Sequence, residues 1–233
     1  MKFLKEIWNE SNIIELHEYL NTLDKVNSKE RELRILNTSF SYIGVRNEPL
    51  KKISKEILKG NYKSFLNVNT PIYHEDFMIN GNIINKIKDF NEFVKYLDEY
   101  LKYADSWAHT DVIKFNIKNN EENYFNLANK YLKSDKTYVR RMGVRILFNY
   151  CNNYYTDKVF DLINQMYDEK EYYVNMCISW LLCDLMIKSR DKTMKYMDNH
   201  HLNKFVVNKM ISKCRDSYRV SSEDKELLIK YRM

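Results

Sequence analysis

From residue 104 onward the chain is a succession of short amphipathic helical runs, and the spacing of those runs constrains its fold more than any single residue. Apolar residues recur at three- and four-residue intervals near 105–117, 121–133, 137–151, 156–167, 171–188, 191–198, 202–216 and 222–231, with short polar breaks between them. Taken in pairs, successive units begin near 105, 137, 171 and 202, about 31 to 34 residues apart, which is the spacing of helical repeat arrays. In such an array each pair buries its apolar face only against its neighbours, and the stack presents an extended concave surface. The expected fold class is therefore all-α, an α-solenoid, with an irregular helical bundle as the alternative. Similarity between the units is weak, so the period lies in helix lengths and not in a repeated motif.

The first hundred residues carry less regular helical patterns at 12–24, 29–40, 50–58, 72–80 and 90–103, broken at "IGVRNEP" (43–49) and "NVNTP" (67–71). Pro49 suits a helix start and Gly60 a helix stop. Four Gly and two Pro in 233 residues are too few for an all-β chain with frequent turns or for a flexible linker, so residues 1–233 are expected to form one domain. Aromatics at 14 % supply the burial that a disordered chain of 30 % charged residues would lack.

The cysteines Cys151, Cys177, Cys183 and Cys214 form no CxxC pair and lie in apolar runs, which predicts buried free thiols and a reducing compartment. The opening "MKFLKEIWNE" has no apolar signal core, and no 18-residue apolar stretch occurs. A soluble, cytoplasmic protein with no membrane role is expected.

The formal charge of +6 permits an anionic partner without requiring one. Cations gather in "YVRRMGVR" (138–145) and "NKFVVNKMISKCRDSYR" (203–219), candidate phosphate-facing stripes whose ordinary alternative is a solvated helix face. Trp107, Arg141 and Trp180 stand 34 and 39 residues apart in the first helices of three consecutive units, and Asp111 is one helical turn after Trp107. In a stacked array two indoles, a guanidinium and a carboxylate can thus share one face. Taken singly, each tryptophan reads as core, Asp111 as a solvated partner of a lysine, and His109 as a surface residue or a local hydrogen-bond partner.

The segments "DSWAHTD", "YVRRMGVRILFNY", "EYYVNMCISWLLCDLMIK" and "NKMISKCRDSYRVSSEDKELL", with the upstream "IGVRNEPLKKISKEILKG", resemble the AlkD-like DNA alkylation repair family, the HEAT-like-repeat alkylpurine DNA glycosylases. The resemblance spans roughly residues 40 to 230. It implies an α-α superhelix of HEAT-like repeats whose basic face holds double-stranded DNA, acting as a monomer in base excision repair on N3- or N7-alkylated purines. On this resemblance Asp111, Trp107 and Trp180 match the family's catalytic residues, and Arg141 its helix-start arginine. Arg140, Lys209, Lys213, Arg215 and Arg219 are the further expected DNA contacts. Ala108, His109 and Thr110, between the matched Trp and Asp, differ from the best-known members.

Such a site would work without a metal or organic cofactor. An N3- or N7-alkylpurine is cationic, so it leaves as a neutral base, and the barrier lies in the electron-poor sugar. A carboxylate beside C1′ stabilises the oxocarbenium-like transition state and positions water, as carboxylates do in glycoside hydrolysis. Indole faces add attraction for a cation, on the order of 0.5 to 2 kcal/mol per good contact. A non-catalytic module that binds distorted or branched DNA, and a HEAT-type protein scaffold, are the rival readings.

Overall fold

The computed structural model describes residues 2–233. Among them the chain is all-α, with fourteen α helices and one 3-10 turn, and β structure is confined to two isolated bridges, Lys25 with Val45 and Ser41 with Tyr73. This is the helical-repeat, α-solenoid class of fold. Two compact units divide the chain, one ending at Lys114 and the other running from Phe115 to Met233.

The first unit holds α1 (Glu10–Thr22), α2 (Lys29–Leu36), α3 (Asn47–Ile57), α4 (Tyr62–Val68), α5 (His74–Ile84), α6 (Phe90–Leu101) and α7 (Trp107–Asp111). Helix α5 is its centre: every residue but Asn82 is buried, and it packs on α3, α6 and α7. Phe77, Ile79 and Ile83 fill this core, each contributing about 1.5–3 kcal/mol by removal from water. Two acids at its start are also buried and fully occupied. Glu75 accepts the backbone N–H groups of Ile43, Gly44 and Val45 at 3.1, 2.7 and 3.0 Å. Asp76 accepts those of Ile72 and Tyr73, both at 2.9 Å, and pairs with His17 at 2.8 Å. Burial pushes the Glu75 carboxyl up against the opposing pull of those backbone donors. The loop that Glu75 gathers turns at Gly44, whose φ of 97° a side chain would strain.

Helix α3 begins at Asn47 and not at Leu50, and places Pro49 in its first turn, where a missing N–H costs nothing. Helix α2 stops at Leu36, short of the expected residue 40, because Asn37 turns left-handed and Asp105 takes up the chain beyond. The Asp105 carboxylate accepts from Thr38 Oγ1 at 2.6 Å and from Ser39 N and Oγ at 2.7 and 2.6 Å.

The second unit holds α8 (Glu121–Leu132), α9 (Thr137–Leu147), α10 (Thr156–Asn164), α11 (Tyr172–Lys188), α12 (Arg190–Met197), α13 (Lys204–Asp216) and α14 (Ser222–Ile229). The helix starts near 137, 171 and 202 are those that the spacing predicts, whereas the expected pair beginning near 105 is split: its first helix belongs to the first unit, and α8 packs against α9 instead. Helices α9, α11 and α13 pack side by side in chain order, with α8 against α9, α12 against α11 and α14 against α13. Polar clamps join successive repeats: Asn203 donates to the Asn175 side chain at 3.1 Å, and Ser179 Oγ to the Val206 carbonyl at 3.1 Å. All four cysteines are reduced and buried, as their apolar settings predict. No helix among the described residues is long and apolar enough to cross a membrane.

Candidate active site

Helix α7 is only five residues long, WAHTD, where the periodicity predicts a helix to residue 117. A helix this short has almost no stability of its own, so its position is set by what grips it. At its start, Ser106 Oγ caps the Ala108 N–H at 3.3 Å and donates to the Leu36 carbonyl at 2.5 Å. The Trp107 indole N–H donates to the Ile35 carbonyl at 2.8 Å. With the Asp105 carboxylate on Thr38 and Ser39, three consecutive side chains fasten α7 to the end of α2. At its other end, the Asn85 amide donates to the Val112 carbonyl at 2.9 Å and accepts the Lys114 N–H at 2.7 Å. One side chain takes both backbone groups that a further helical turn would have used, and the helix ends. Gly81 permits this approach, since a Cβ there would lie 2.5 Å from Val112 Cγ1.

His109 forms the buried underside of the helix, not its surface. Its ring stacks on Phe77 with centroids 3.7 Å apart, and Tyr100 donates to its carbonyl at 2.7 Å. The Asp105 backbone N–H donates to His109 Nδ1 at 3.3 Å, which leaves the ring proton on Nε2; that nitrogen donates to Nδ1 of His74 at 3.1 Å. Burial, with His74 beside it, holds the His109 pKa down to about 2. Burial lowers His74 to about 4 against the opposing pull of Asp105. Of the two sequence readings of His109, the local hydrogen-bond partner is the one observed.

Trp107 and Asp111 are both half-buried and line one cavity of about 880 Å³ within the first unit. Arg31, Arg46, Lys51 and Lys114 line it too, with Glu32 and Tyr42 hydrogen-bonded to each other at 2.7 Å on its wall. A carboxylate and an indole one turn apart, in a cavity bordered by four cations, suit an anionic ligand whose reacting centre becomes positive.

In the second unit Trp180 lies on α11 and is 47 % exposed. It faces solvent on a helix whose middle is otherwise mostly buried, so the core reading of this tryptophan is corrected. Lys213 on α13 sets its ammonium 4.6 Å from the Trp180 ring. Together with Arg145, Asp184 and Arg219 they line a cavity of about 470 Å³. Burial, and to a lesser degree Lys209, lower the Lys213 pKa, with Cys183 opposing. Lys209 and Arg215 are exposed on or near the same helix, and Arg219 lies 4.0 Å from Asp184.

The two expected arginines of α9 differ in role. Arg141 is buried, at 3 % exposure. Arg140 bonds the Glu169 carboxylate through Nε and Nη2 at 2.6 and 3.0 Å, and gives Nη1 to the Ser134 and Asp135 carbonyls at 3.0 and 2.9 Å. Four of its five N–H donors are thus spent inside the protein. It clamps the start of α9 to the segment before α11. The Glu169 carboxyl is correspondingly lowered: burial would raise it, but Arg140 and the backbone N–H groups of Glu171 and Lys170 outweigh that.

The sequence model of the DNA alkylation repair enzymes matches residues 5–212. The chain belongs to that family. The family places it in DNA repair, with DNA as partner. A solved structure described as a predicted DNA alkylation repair enzyme from Enterococcus faecalis superposes with a TM-score of 0.59 at 10 % identity, covering 92 % of this chain and 100 % of that one. At that identity it speaks for the fold alone. No curated protein matches. Residues 5–40, which offered no recognisable motif, fall inside the family match; they supply Arg31 and the carbonyls that hold α7.

The sequence reading does not single out Arg31, Arg46, Lys51 and Lys114, which line the cavity beside Trp107 and Asp111, and it places Arg145 only within the basic stripe 138–145. Arg145 was legible in principle, one helical turn after Arg141 on a basic stripe. The first four come from three stretches, α2, the start of α3 and the segment after α7, and only the fold gathers them around one cavity.

Proposed function

We propose that this family member is a DNA glycosylase that hydrolyses the N-glycosidic bond of cationic N3- and N7-alkylpurines in duplex DNA. The observation that carries the reading is the placement of Trp107 and Asp111 at opposite ends of a single clamped turn, both facing one cation-bordered cavity. Asp111 supplies the carboxylate that stabilises positive charge developing at C1′ and orients the attacking water. Trp107 offers its ring to the cationic nucleotide while its N–H stays tied to Ile35. The leaving purine is neutral, so no strong general acid is required.

Trp180 extends the same selection for positive charge, and Lys213, Lys209, Arg215 and Arg219 grip phosphates. Arg141 acts from within α9, and Arg140 holds the ends of α9 and α11 in register through Glu169. The chain acts on duplex DNA as a monomer, and the affinity falls steeply with salt. No metal takes part in this scheme.

The experiment is to incubate the protein with methylated duplex DNA and identify released bases by mass spectrometry. Release of 3-methyladenine or 7-methylguanine supports the reading. Tight, salt-sensitive binding without base release instead supports a non-catalytic module for distorted or branched DNA.

A further inference from the structure

The histidine pair beneath α7 has a second end that the chemistry of Trp107 and Asp111 leaves unused. A backbone amide can only donate, so the Asp105 N–H, 3.3 Å from His109 Nδ1, makes that nitrogen an acceptor and leaves the ring proton on Nε2. The Asp105 carboxylate does not compete for Nδ1. It stands off at 3.4 Å, while Thr38 Oγ1, Ser39 N and Ser39 Oγ donate to it at 2.6, 2.7 and 2.6 Å. His109 Nε2 then donates to His74 Nδ1 at 3.1 Å. A neutral imidazole carries one proton, so that of His74 sits on Nε2. One backbone amide thus dictates, through two rings, which nitrogen of His74 is the donor.

His74 lines the cavity of about 880 Å³ that holds Trp107 and Asp111, on the face of α5 that also brings Met78 and Asn82 to it. Its ring is held edge to face against Tyr42, with centroids 5.5 Å apart. Nδ1 is taken by His109, and among the described residues no protein group takes Nε2. Four cations, Arg31, Arg46, Lys51 and Lys114, line the same cavity against the carboxylates of Glu32 and Asp111, so the acceptor that such a setting draws in is an anionic oxygen.

We propose that His74 is a positioning residue, which donates its Nε2–H to a phosphate oxygen of the lesion strand and so holds the sugar at Asp111. This rests on the reading that DNA enters the cavity of Trp107 and Asp111.

A neutral donor suits the place better than a fifth cation. Burial lowers the His74 pKa to about 4, so the ring is uncharged at neutral pH. It grips an oxygen without adding positive charge beside a sugar that itself becomes positive, where another cation would oppose the reaction. The fixed tautomer also discriminates. A nitrogen that always donates accepts nothing, so it rejects groups that present only an N–H or O–H.

The test uses the full chain labelled with nitrogen-15. Long-range proton–nitrogen correlation spectra report which ring nitrogen of each histidine carries the proton, before and after adding a duplex that holds one tetrahydrofuran abasic analogue, which offers no glycosidic bond to cleave. The proposal expects His74 and His109 to be protonated on Nε2 alone. On adding the duplex, the His74 Nε2–H should move downfield and exchange more slowly with water. In binding titrations His74→Phe should lower affinity about tenfold, the scale of one hydrogen bond to a charged group, with the slope of log K against log salt unchanged because no charge is lost. A proton on His74 Nδ1, or a slope reduced by one in the variant, would overturn the proposal. A His74 signal that ignores the duplex while the Trp107 indole signal moves would overturn it too, and leave DNA in the cavity. If neither signal moves, the placement of DNA in this cavity falls with it. The spectra of the wild-type protein alone decide between these outcomes, so the result depends neither on the variant folding nor on glycosylase activity.

Discussion

The Trp107 indole N–H donates to the Ile35 carbonyl at 2.8 Å, so the residue proposed to offer a π face to the lesion is fixed at its polar edge by the last turn of α2. Its plane is set before any ligand arrives. Trp107→Phe keeps an aromatic face but removes this donor and leaves the Ile35 carbonyl without it. We expect a stability loss of about 1 kcal/mol in urea denaturation, and a fall in base release larger than the change in DNA affinity. Equal losses in affinity and base release would instead mark Trp107 as a simple binding residue.

Asn85 is expected to matter as much as its neighbours in the cavity although it lies behind α7. Replacing it with Ala strips partners from the Val112 carbonyl and the Lys114 N–H together. A cost of about 1–3 kcal/mol follows for leaving such groups unmet. Denaturation curves should show that loss, with activity reduced because α7 no longer ends where Asp111 needs it. An Asn85→Ala protein with wild-type stability would show that α7 is held by α2 alone.

Lys213 and Arg140 separate a DNA contact from a structural clamp. Lys213→Gln should reduce the slope of log K against log salt by about one, with little change in stability. Arg140→Met should leave the slope unchanged and instead destabilise the protein by about 3 kcal/mol, since it strands Glu169 in a largely buried position. Binding titrations between low and moderate salt, paired with thermal melts, check both.

The buried imidazoles give unit one an acid limit. His74 and His109 are held at about 4 and about 2, below the ordinary value of 6.5. The unfolded chain therefore binds more protons than the folded one once the pH drops below 6.5. Their contribution is complete above that value and is lost progressively toward pH 4 and below, by at most about 1.4 kcal/mol per pH unit for each histidine. Urea melts from pH 7.5 to 4.5 should show falling stability, and His109→Gln should flatten the acid limb. An unchanged slope in that variant would contradict the neutral buried pair.

What the sequence could disclose follows from where each signal resides. The helices from α8 to α14 are legible because each carries its own apolar period and the breaks between them are local. Helix α4 is not: its seven residues bury only Phe65, too little to show a period. The length of α7 is hidden for another reason. Its stop signal is Asn85, far back in the chain, and no local residue announces it. The same holds for Arg140, whose partner Glu169 lies 29 residues away, so a basic stripe could not reveal that one of its members is spent. Trp107 and Asp111 were readable through their one-turn spacing, whereas Arg31, Arg46, Lys51 and Lys114 required the fold to bring α2, the start of α3 and the segment after α7 around one cavity.

The most direct test of the account is the rate of base release by Asp111→Asn, compared with wild type, on duplex DNA containing 7-methylguanine or 3-methyladenine. The substitution keeps the size of the side chain and removes its charge. Release should fall by at least about 100-fold, the scale seen when a transition-state electrostatic partner is lost, while DNA affinity stays within about twofold and the melting temperature is unchanged. Release by the variant at the wild-type rate, or none by the wild-type protein itself, would contradict the claim that this carboxylate drives glycosidic cleavage.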